Sequence, residues 1–341
     1  MYRPGNLVPL SRRNFLSALA AGTAATWLSA CSGSPSTPTP GAGAEPLAAL
    51  EGRAVRVATF PTNHVAAALF WPMFAPPGVT VEVSTVSSGT EMNLALERGD
   101  LDFATFGVVN GFTQAAEGLG SAVIGMAARQ GAGLVVRSDS PFTDVADLRG
   151  ARIGIKDPSF QSLLMFGLLE EAGLDPQADV TILPLEWNDM PVALEAGDVD
   201  AFMGTEPNPS RSVATGVGRR LVNPYTTPVG SLNSALWASR AALQDPELCR
   251  AAVGLQRGAA EFLSPGGTND PAAWRDLAVG QFGLEEAVYR ELLSNVGAVW
   301  KLDAFWLDQA RAAGAAMTSL GRLNEEPDYD ALLITAHQPD G

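Results

Sequence analysis

The sequence predicts an α/β protein of two Rossmann-like lobes, joined by two hinge segments and followed by C-terminal helices. One ten-residue pattern occurs twice, at residues 95–104 and 193–202, and the copies lie 98 residues apart. Apolar strand patterns alternate with helical patterns around each copy, as in parallel sheets with crossover helices. Because a solenoid repeat spans only about 20–50 residues, we expect one supersecondary unit in each lobe.

Each copy of the repeat reads as the end of a helix, a turn and a buried strand. Ala-Leu-Glu ends the helix, and Gly99 or Gly197 is expected to take the left-handed conformation that closes it. An acidic turn then leads into an apolar run, residues 103–106 in the first copy and 201–204 in the second. Such runs between turns are typical of buried parallel strands. The alternative is a chance match in a chain rich in Ala and Gly.

The first 50 residues predict an export signal and a spacer. The arginine pair at 12–13 precedes a modest apolar stretch and resembles a twin-arginine signal. The run 28–31 resembles a lipobox, in which Cys31 would carry the lipid; an ordinary secretory signal is the alternative. Residues 1–30 are thus expected to be a signal peptide, and residues 31–50, rich in Ser, Pro and Gly, a flexible linker. The folded body would be lipid-anchored at the outer face of the cytoplasmic membrane.

Composition argues against several classes of function. The formal net charge of −15 makes nucleic acid and anionic lipid surfaces unfavourable partners. With Cys31 lipidated, Cys249 would stand alone, so no disulfide is expected. The two histidines, His64 and His337, are far apart in sequence, and we expect neither a metal nor another cofactor. No segment after the signal reads as a membrane span.

The first lobe is expected to hold residues 51–137 and 229–341. Its elements follow in the order β-α-β-α-β-α-β-β, each strand being an apolar or alternating run bounded by turn residues. Either Ser88 or Thr90 would cap the second helix. The predicted strands are residues 54–60, 79–83, 103–106, 123–127 and 134–137, with a returning strand at 231–238, and the predicted helices include residues 65–74 and 300–317.

The second lobe is expected to hold residues 138–228, after a boundary of Ser, Asp and Pro. Hinges are expected near residues 137–138 and 226–231, so that the lobes can close on a ligand. The predicted elements are strands at 152–155, 180–185 and 219–222, a helix at 159–172, and the second copy of the repeat.

Candidate ligand-binding residues lie beyond the carboxyl ends of the predicted strands. Ligands collect at such ends in parallel sheets, where helix N-termini present free N–H groups. Lys156, one of two lysines in the chain, falls at one of these ends. Neutral donors around it could hold an oxyanion, each hydrogen bond contributing about 0.5–1.5 kcal/mol. The candidates are Phe60, Asn63, His64, Ser87, Ser88, Gly89, Thr90, Val108, Asn110, Lys156, Ser159, Phe160, Gln161, Trp187, Asn188, Thr205 and Glu206.

Several of these residues have a purely structural alternative. Ser88, Thr90 and Ser159 could simply cap helices. Lys156 could be a solvated loop lysine. Glu206 could accept a bond from a ligand amine, which we favour, or only stabilise a hinge.

Three segments together resemble a known family of binding proteins. Residues 89–107, 145–155 and 197–207 are similar, in this order, to the nitrate/sulfonate/taurine-type solute-binding proteins of ABC importers, a group that includes thiamine-pyrimidine-precursor binders. The resemblance covers roughly residues 53–240. It implies the type II periplasmic-binding-protein fold, in a monomer that holds a small solute or oxyanion between its lobes. The solute would pass unchanged to an ABC permease and ATPase complex.

Three further interpretations stay open. The loop 61–64 resembles the Asn- and His-containing first loop of the pyrimidine-precursor binders, which would favour a heterocycle stacked on Phe60 and Trp187. Enzymes of pyrimidine and menaquinone biosynthesis share this architecture; in such an enzyme His64 would react and Glu206 would act as a base. The lipid anchor argues against an enzyme, since those substrates are cytoplasmic. A sensory or adhesion lipoprotein without a permease is a third class.

Overall fold

The computed structural model describes residues 52–264 and 271–339. The predicted signal peptide, the linker and Cys31 lie outside the described residues and stay predictions. Within the described part of the chain, no helix is both long and apolar enough to cross a membrane. These residues fold into two α/β lobes, each built on one sheet.

Eleven strands of the described chain form the two sheets. In chain order they are β1 (Ala54–Thr59), β2 (Thr80–Thr85), β3 (Phe103–Gly107), β4 (Ala122–Gln130), β5 (Ala132–Arg137), β6 (Arg152–Ile155), β7 (Thr181–Pro184), β8 (Ala201–Thr205), β9 (Gly218–Arg220), β10 (Leu232–Ala238) and β11 (Val296–Ala298). The first sheet has the order β11-β4-β10-β3-β1-β2, and the second has the order β7-β6-β8-β5-β9. Each contains a parallel trio, β2-β1-β3 or β7-β6-β8.

Helices cover the faces of both sheets. In chain order the α-helices of the described residues are α1 (Trp71–Phe74), α2 (Gly89–Arg98), α3 (Val108–Ala116), α4 (Phe160–Glu171), α5 (Met190–Ala196), α6 (Asn208–Ala214), α7 (Pro246–Leu263), α8 (Pro271–Arg275), α9 (Glu286–Leu292), α10 (Ala304–Ser319) and α11 (Tyr329–Leu332). A 3₁₀ helix, Asn63–Phe70, precedes α1. The predicted two-lobed α/β fold with C-terminal helices is confirmed, although the short strand β11 interrupts the helical C-terminal region.

The sequence repeat is a helix, a turn and a strand in both lobes, as predicted. α2 ends at Gly99 (φ 76°) and α5 ends at Gly197 (φ 77°), both in the left-handed conformation. The strand that follows each turn is central and almost wholly buried. The two copies therefore occupy equivalent places in the two sheets.

A matched Arg–Asp pair, which the sequence patterns do not indicate, closes the turn in each lobe. Asp102 accepts hydrogen bonds from the backbone N–H of Arg56 (2.9 Å) and from its guanidinium (2.7 Å). Asp200 accepts the same two bonds from Arg152, both at 2.8 Å. Each guanidinium also donates to the carbonyl of the left-handed glycine, at 2.7 Å in both lobes. The pair ties the first strand of each lobe to the turn that precedes the third strand.

One predicted boundary is wrong. The run 134–137 was expected in the first lobe, with the hinge at 137–138, but β5 pairs with β8 and β9 of the second sheet. The chain therefore crosses between lobes at Gln130–Gly131. An apolar run suits a place in either sheet, so hydrophobicity alone could not assign this strand. The second crossing, between β9 and β10, contains the predicted hinge 226–231; the remaining lobe limits stay a prediction.

The apolar core is continuous between the lobes. One cluster includes Trp237 and Phe106 of the first sheet, whose rings stack with centroids 4.8 Å apart, and Leu164 of α4 in the second lobe. Helix α10 contributes Trp306 to this cluster and packs against both α3 and α4. Helix α10 thus lies across the two lobes.

The Arg–Asp pair of the second lobe gives a test of the fold. We expect Asp200→Asn to lower the free energy of unfolding by about 1–3 kcal/mol, since a hydrogen bond to a charged group contributes about 1.5–3 kcal/mol. The hydrogen bond from the Arg152 side chain holds the pKa of Asp200 below its ordinary value. The ionised carboxylate therefore stabilises the fold at neutral pH, and the difference between wild type and variant should vanish as the pH falls through that lowered pKa. Urea unfolding from about pH 7 to about pH 2 measures this.

Asp198→Asn is the matched control, since Asp198 lies in the same turn and is exposed. Both variants remove one negative charge, but only Asp200→Asn disturbs the bonds to Arg152. Equal losses of stability in the two variants would contradict the assignment.

Candidate functional site

The carboxyl ends of the parallel strands meet between the lobes. Gly107, at the end of β3, lies opposite Ser234 near the start of β10, and Thr205, at the end of β8, lies opposite Ala132 at the start of β5. Both crossing segments therefore leave one sheet and enter the other at these edges. A ligand held between the lobes would face the loops that follow β1, β3, β6 and β8, where most of the candidates were expected.

The first crossing pivots on Gly131. Its N–H donates to the carbonyl of Asn295 in the first lobe (2.8 Å). Its own carbonyl accepts from the N–H of Glu206 (2.9 Å) and from the hydroxyl of Thr205 (3.3 Å) in the second lobe. Gly131 (φ 80°) and Gln130 (φ 63°) are both in the left-handed region, which is unfavourable for a side-chain-bearing residue. The two lobes are thus attached to opposite ends of one residue.

The second crossing is held by the first one and by α10. The N–H of Gln130 donates to the carbonyl of Ser231 (2.9 Å), so the two crossings are bonded directly. The N–H of Ser231 donates to the side chain of Gln309 on α10 (3.0 Å). Gly230 is left-handed (φ 61°), and an added Cβ would lie 2.6 Å from the Gln309 side chain. Any hinge motion therefore involves both crossings together.

Glu206 lies in a buried polar cluster at this hinge. Its carboxylate is 1% exposed and accepts from the Arg220 guanidinium (2.8 Å), the Asn295 side-chain amide (2.7 Å) and the N–H of Ser210 (3.3 Å). Arg220 also pairs with Glu291 of α9 (3.1 Å), which joins the second lobe to the first. Burial would lower the Arg220 pKa, but the charges and hydrogen bonds of the two glutamates outweigh it and hold that pKa above its usual value.

Tyr225 completes the cluster from the second crossing. Its hydroxyl accepts from the N–H of Ala132 (2.9 Å) and lies 2.5 Å from the Asn295 side-chain oxygen. Burial raises the pKa of Tyr225 well above its ordinary value. A cavity of about 460 Å³ beside the cluster is lined by both crossings and by Ser294 and Asn295. The structure thus shows Glu206 with hinge partners, and its predicted contact with a ligand stays a prediction.

In the first lobe, the candidates divide into packing residues and rim residues. Val108 belongs to the core shared by the lobes, and Phe60 is partly buried and packs against that core. Ser88 caps α2, its side chain accepting from the N–H of Glu91 (3.3 Å). Ser87 and Thr90 are exposed beside this cap.

The other first-lobe candidates follow β1 and β3. Asn63 and His64 begin the 3₁₀ helix after β1. The Asn110 side chain lies over the backbone of two glycines: a Cβ added to Gly89 or Gly107 would be 3.6 or 3.5 Å from its amide group. The end of β3 and the start of α2 are therefore brought together, and a shared ligand site there stays a prediction.

In the second lobe, Lys156 already has a partner. Its ammonium group pairs with the carboxylate of Glu186 and lies 5.8 Å from the centroid of the Trp187 ring. The side chains of Lys156 and Glu186 are 38% and 69% exposed, so the pair lies at the rim. Asn188 is exposed next to it. Lys156, predicted to donate hydrogen bonds to an anionic ligand, is thus paired with Glu186, a carboxylate that the sequence analysis did not predict as part of the site.

Ser159, which lies at the same edge as Lys156, has a structural role. Ser159 caps α4, accepting from the N–H of Ser162 (3.0 Å) and donating to the carbonyl of Lys156 (2.6 Å). Phe160 and Gln161 are buried. Asp157, next to Lys156, pairs with Arg322 beyond α10 and so connects the edge to the C-terminal region.

The hinge residues that sequence reasoning missed carried weak signals. Arg220 stood out only as half of an arginine pair in an acidic chain. Asn295 and Tyr225 are single polar residues in regions that were interpreted as a helix and a loop. Their partners are 14 to 163 residues away, so only the fold brings them together.

The described residues include one cysteine and no cluster of metal-ligating side chains. Cys249 is the one cysteine among them; it lies buried on α7, and burial raises its pKa to about 12. In the same part of the chain, no group of three His, Cys, Asp or Glu side chains is arranged to hold a metal. What the edges offer is hydrogen bonding and charge.

Glu206 gives a test of the hinge. We expect Glu206→Gln to lower the free energy of unfolding of the unliganded protein by about 3 kcal/mol, because breaking a buried ion pair leaves Arg220 incompletely paired. Chemical unfolding measures the loss. Glu291→Gln is the control: it removes the more exposed partner of the same guanidinium and should cost less. A variant with unchanged stability but altered ligand affinity would instead make Glu206 a ligand contact.

Solved structures share this fold at low sequence identity. The periplasmic aliphatic sulphonate binding protein SsuA from Escherichia coli is 19% identical, with a TM-score of 0.71 over 84% of this chain and 94% of that one. The periplasmic nitrate-binding protein NrtA from Synechocystis PCC 6803 is 15% identical, with a TM-score of 0.60 over 79% and 82%. The desulfurization enzyme DSZB is 18% identical, with a TM-score of 0.62 over 83% and 97%.

The comparison of sequences gives the family. Among curated proteins no match is found. Residues 48–273 match the family described as NMT1-like, which is more than half of the chain. The resemblance inferred from the sequence is thereby confirmed for family and fold. This protein belongs to the NMT1-like family.

Proposed function

We propose that the protein is the extracytoplasmic substrate-binding subunit of an ABC importer. It captures a small organic solute or an oxyanion, of the sulfonate, nitrate or taurine type, between its lobes and delivers it unchanged to a permease and ATPase complex. One observation carries the proposal: two equivalent lobes meet at the carboxyl ends of their parallel strands, where two crossings join them and Gly131 is bonded to both lobes. That geometry serves capture by hinge closure. Similarity to the sulphonate- and nitrate-binding proteins SsuA and NrtA supports it.

The ion pair of Lys156 and Glu186 narrows the choice among the proposed ligands. Lys156 provides a cation for an anionic ligand, while Glu186 beside it provides an anion. A zwitterion such as taurine would use both charges, whereas nitrate would have to compete with Glu186 for the ammonium group. We therefore place zwitterionic sulfonates ahead of simple inorganic anions.

Location and anchoring complete the proposal. Residues 1–30 direct export, and Cys31 carries a lipid that holds a monomer at the outer face of the cytoplasmic membrane. The linker 31–50 gives the body reach from the membrane. Support comes from the sequence motifs and from the periplasmic location in the names of similar structures.

A second candidate is a heterocyclic, thiamine-precursor-like ligand. Trp187 and Phe60 are both partly exposed and could stack on a ring, although Phe60 also packs against the shared core. An enzyme stays the least favoured alternative. DSZB shows that the fold accommodates catalysis, since fold does not fix function. Glu206, the general base of that alternative, has hydrogen bonds to hinge residues instead.

A thermal-shift screen of the purified protein tests the proposal. Ligands that bind only the folded state add about 2.7 kcal/mol of stability at a hundredfold excess over Kd, a shift of roughly 5–10 °C at this domain size. We expect taurine or another sulfonate to give it, with nitrate, thiamine precursors and aromatic acids compared alongside. Chemical turnover of the stabilising compound would overturn the assignment to a binding protein.

Lys156→Ala tests the anion contact. Loss of a charged hydrogen bond costs about 1.5–3 kcal/mol, so we expect affinity for the anionic ligand to fall about 10- to 100-fold by calorimetry. Lys301→Ala is the control, since Lys301 is the only other lysine and is exposed. If affinity for every anionic ligand is unchanged in Lys156→Ala, Lys156 is not a contact.

A further inference from the structure

The cavity beside the hinge cluster lies apart from the edges where the candidate ligand-binding residues were expected. It is lined by the end of β4, the start of β5, residues 220–225 and the two residues before β11. In the first sheet, β10 separates β4 and β11 from the trio β3-β1-β2, and in the second sheet β5 separates β9 from the trio β8-β6-β7. The cavity is therefore on the β9 and β11 side of the crossings, and none of the candidate residues lines it.

Both lobes contribute to this cavity, which we call the hinge cavity. Gln130 and Asn295 belong to the first lobe, and Gly133 and Arg220 to the second. Gly133 and Asn295 are buried, whereas Asn223 is exposed, so the cavity extends from the surface to the hinge. Its volume of about 460 Å³ is within the range of about 300–1,000 Å³ that is typical of small-molecule sites.

One nitrogen of the Arg220 guanidinium is left for a ligand. Nε donates to Glu291 (3.1 Å), and Nη2 donates to Glu206 (2.8 Å) and to Ser210 (2.9 Å). Nη1 has no hydrogen bond to a described residue and lies over Gly133, where an added Cβ would be 2.6 Å from it. Because glycine has no side chain, Nη1 can occupy this place at the cavity wall.

Two side-chain amides of the hinge cavity also lack partners within the described chain. Asn223 accepts from the N–H of Tyr225 (3.2 Å) through its oxygen, which leaves its NH₂ group without a partner there. Gln130 uses only its backbone, which donates to Ser231 and accepts from Asn233. Gln130 is also the one non-glycine residue of the described chain with a positive φ. Conformations of this kind cluster at ligand-binding and switch regions.

The charges around Arg220 favour a neutral ligand. Arg220 is the only charged residue that lines the hinge cavity within the described chain, and Glu206 and Glu291 already share its charge. A carboxylate in the cavity would compete with both of them, whereas a carbonyl oxygen can accept from Nη1 and displace neither. The Gln130 side chain both donates and accepts, so an amide group is complementary to it.

We propose that the hinge cavity is a second ligand site, which binds a small neutral amide with a short aliphatic part. The amide carbonyl accepts from Nη1 of Arg220, and the aliphatic part packs on Leu221, Val222 and Pro224. This site goes beyond the proposed function, because its occupation requires neither a solute between the lobes nor a permease.

Titration of the purified full-length protein with N-acetyl-leucinamide tests the proposal, with backbone amide NMR as the readout. We expect shifts at residues 130–133, 220–225 and 294–295, and a Kd on the order of 1 mM for a ligand of this size. N-acetyl-leucine is the matched probe, since it replaces the terminal amide by a carboxylate. It should bind at least about tenfold more weakly, because like charges oppose each other in a small cavity.

Two variants remove the amide donors while sparing the fold. Gln130→Gly deletes the side chain and suits the left-handed conformation, so stability should not fall. Asn223→Asp keeps the acceptor for the Tyr225 N–H but loses the NH₂ group. Each should weaken binding of N-acetyl-leucinamide about threefold to tenfold, the worth of one hydrogen bond. Asn324→Asp makes the same change at an exposed position outside the cavity and should bind like wild type.

The outcomes keep this proposal separate from the proposed function. Shifts confined to the loops after β1, β3, β6 and β8 would place the amide between the lobes and overturn the second site. Absence of binding, equal affinity for the amide and the acid, or unchanged affinity in both variants would also overturn it. A solute that stabilises the protein in the thermal-shift screen would then still support the proposed function. Conversely, amide binding at the hinge cavity without any such solute would leave the second site standing alone.

Discussion

One residue carries the constraint on which the rest of the molecule depends. The N–H of Gly131 is bonded to the first lobe and its carbonyl to the second, so any rotation of one lobe against the other must change the dihedral angles at this residue as well as those of the second crossing. The preceding residue, Gln130, keeps a left-handed conformation despite its side chain. Strain of this kind persists where surrounding bonds determine it, and here the carbonyl of Ser231 and the neighbouring strands supply them.

The buried cluster beside this pivot shows how the hinge limits motion. A carboxylate as buried as that of Glu206 is costly unless its oxygens are fully bonded. Here both oxygens are used, and Arg220 is shared between Glu206 of the second lobe and Glu291 of the first. Such a network is weak as a source of stability but strict about geometry. It therefore defines one arrangement of the hinge strands better than apolar contacts would.

Features that depend on local chemistry could be predicted from the sequence. Strand partners and side-chain contacts between distant residues could not. Gly99 and Gly197 were identifiable because a helix end needs a left-handed residue. The assignment of β5 failed because its buried, apolar residues fit either sheet. The partners of Glu206 and Lys156 were not foreseeable, since those contacts span 14 to 89 residues. The order of the secondary-structure elements was enough to predict which residues lie at strand ends. It was not enough to predict the hydrogen bonds and ion pairs that each side chain makes.

Side chains that already have structural partners are less available to a ligand. Ser88 and Ser159 accept helix-cap hydrogen bonds, and the Ser159 hydroxyl also donates to the carbonyl of Lys156, so its donor is already used. Val108 and Phe160 belong to the core, and Phe60 is partly buried against it. The exposed groups at the edges include Ser87, Thr90 and Asn188, and the oppositely charged pair of Lys156 and Glu186. The Lys156–Glu186 pair sets one cation beside one anion. In the proposed binding function, a zwitterion would match that arrangement better than a simple anion does.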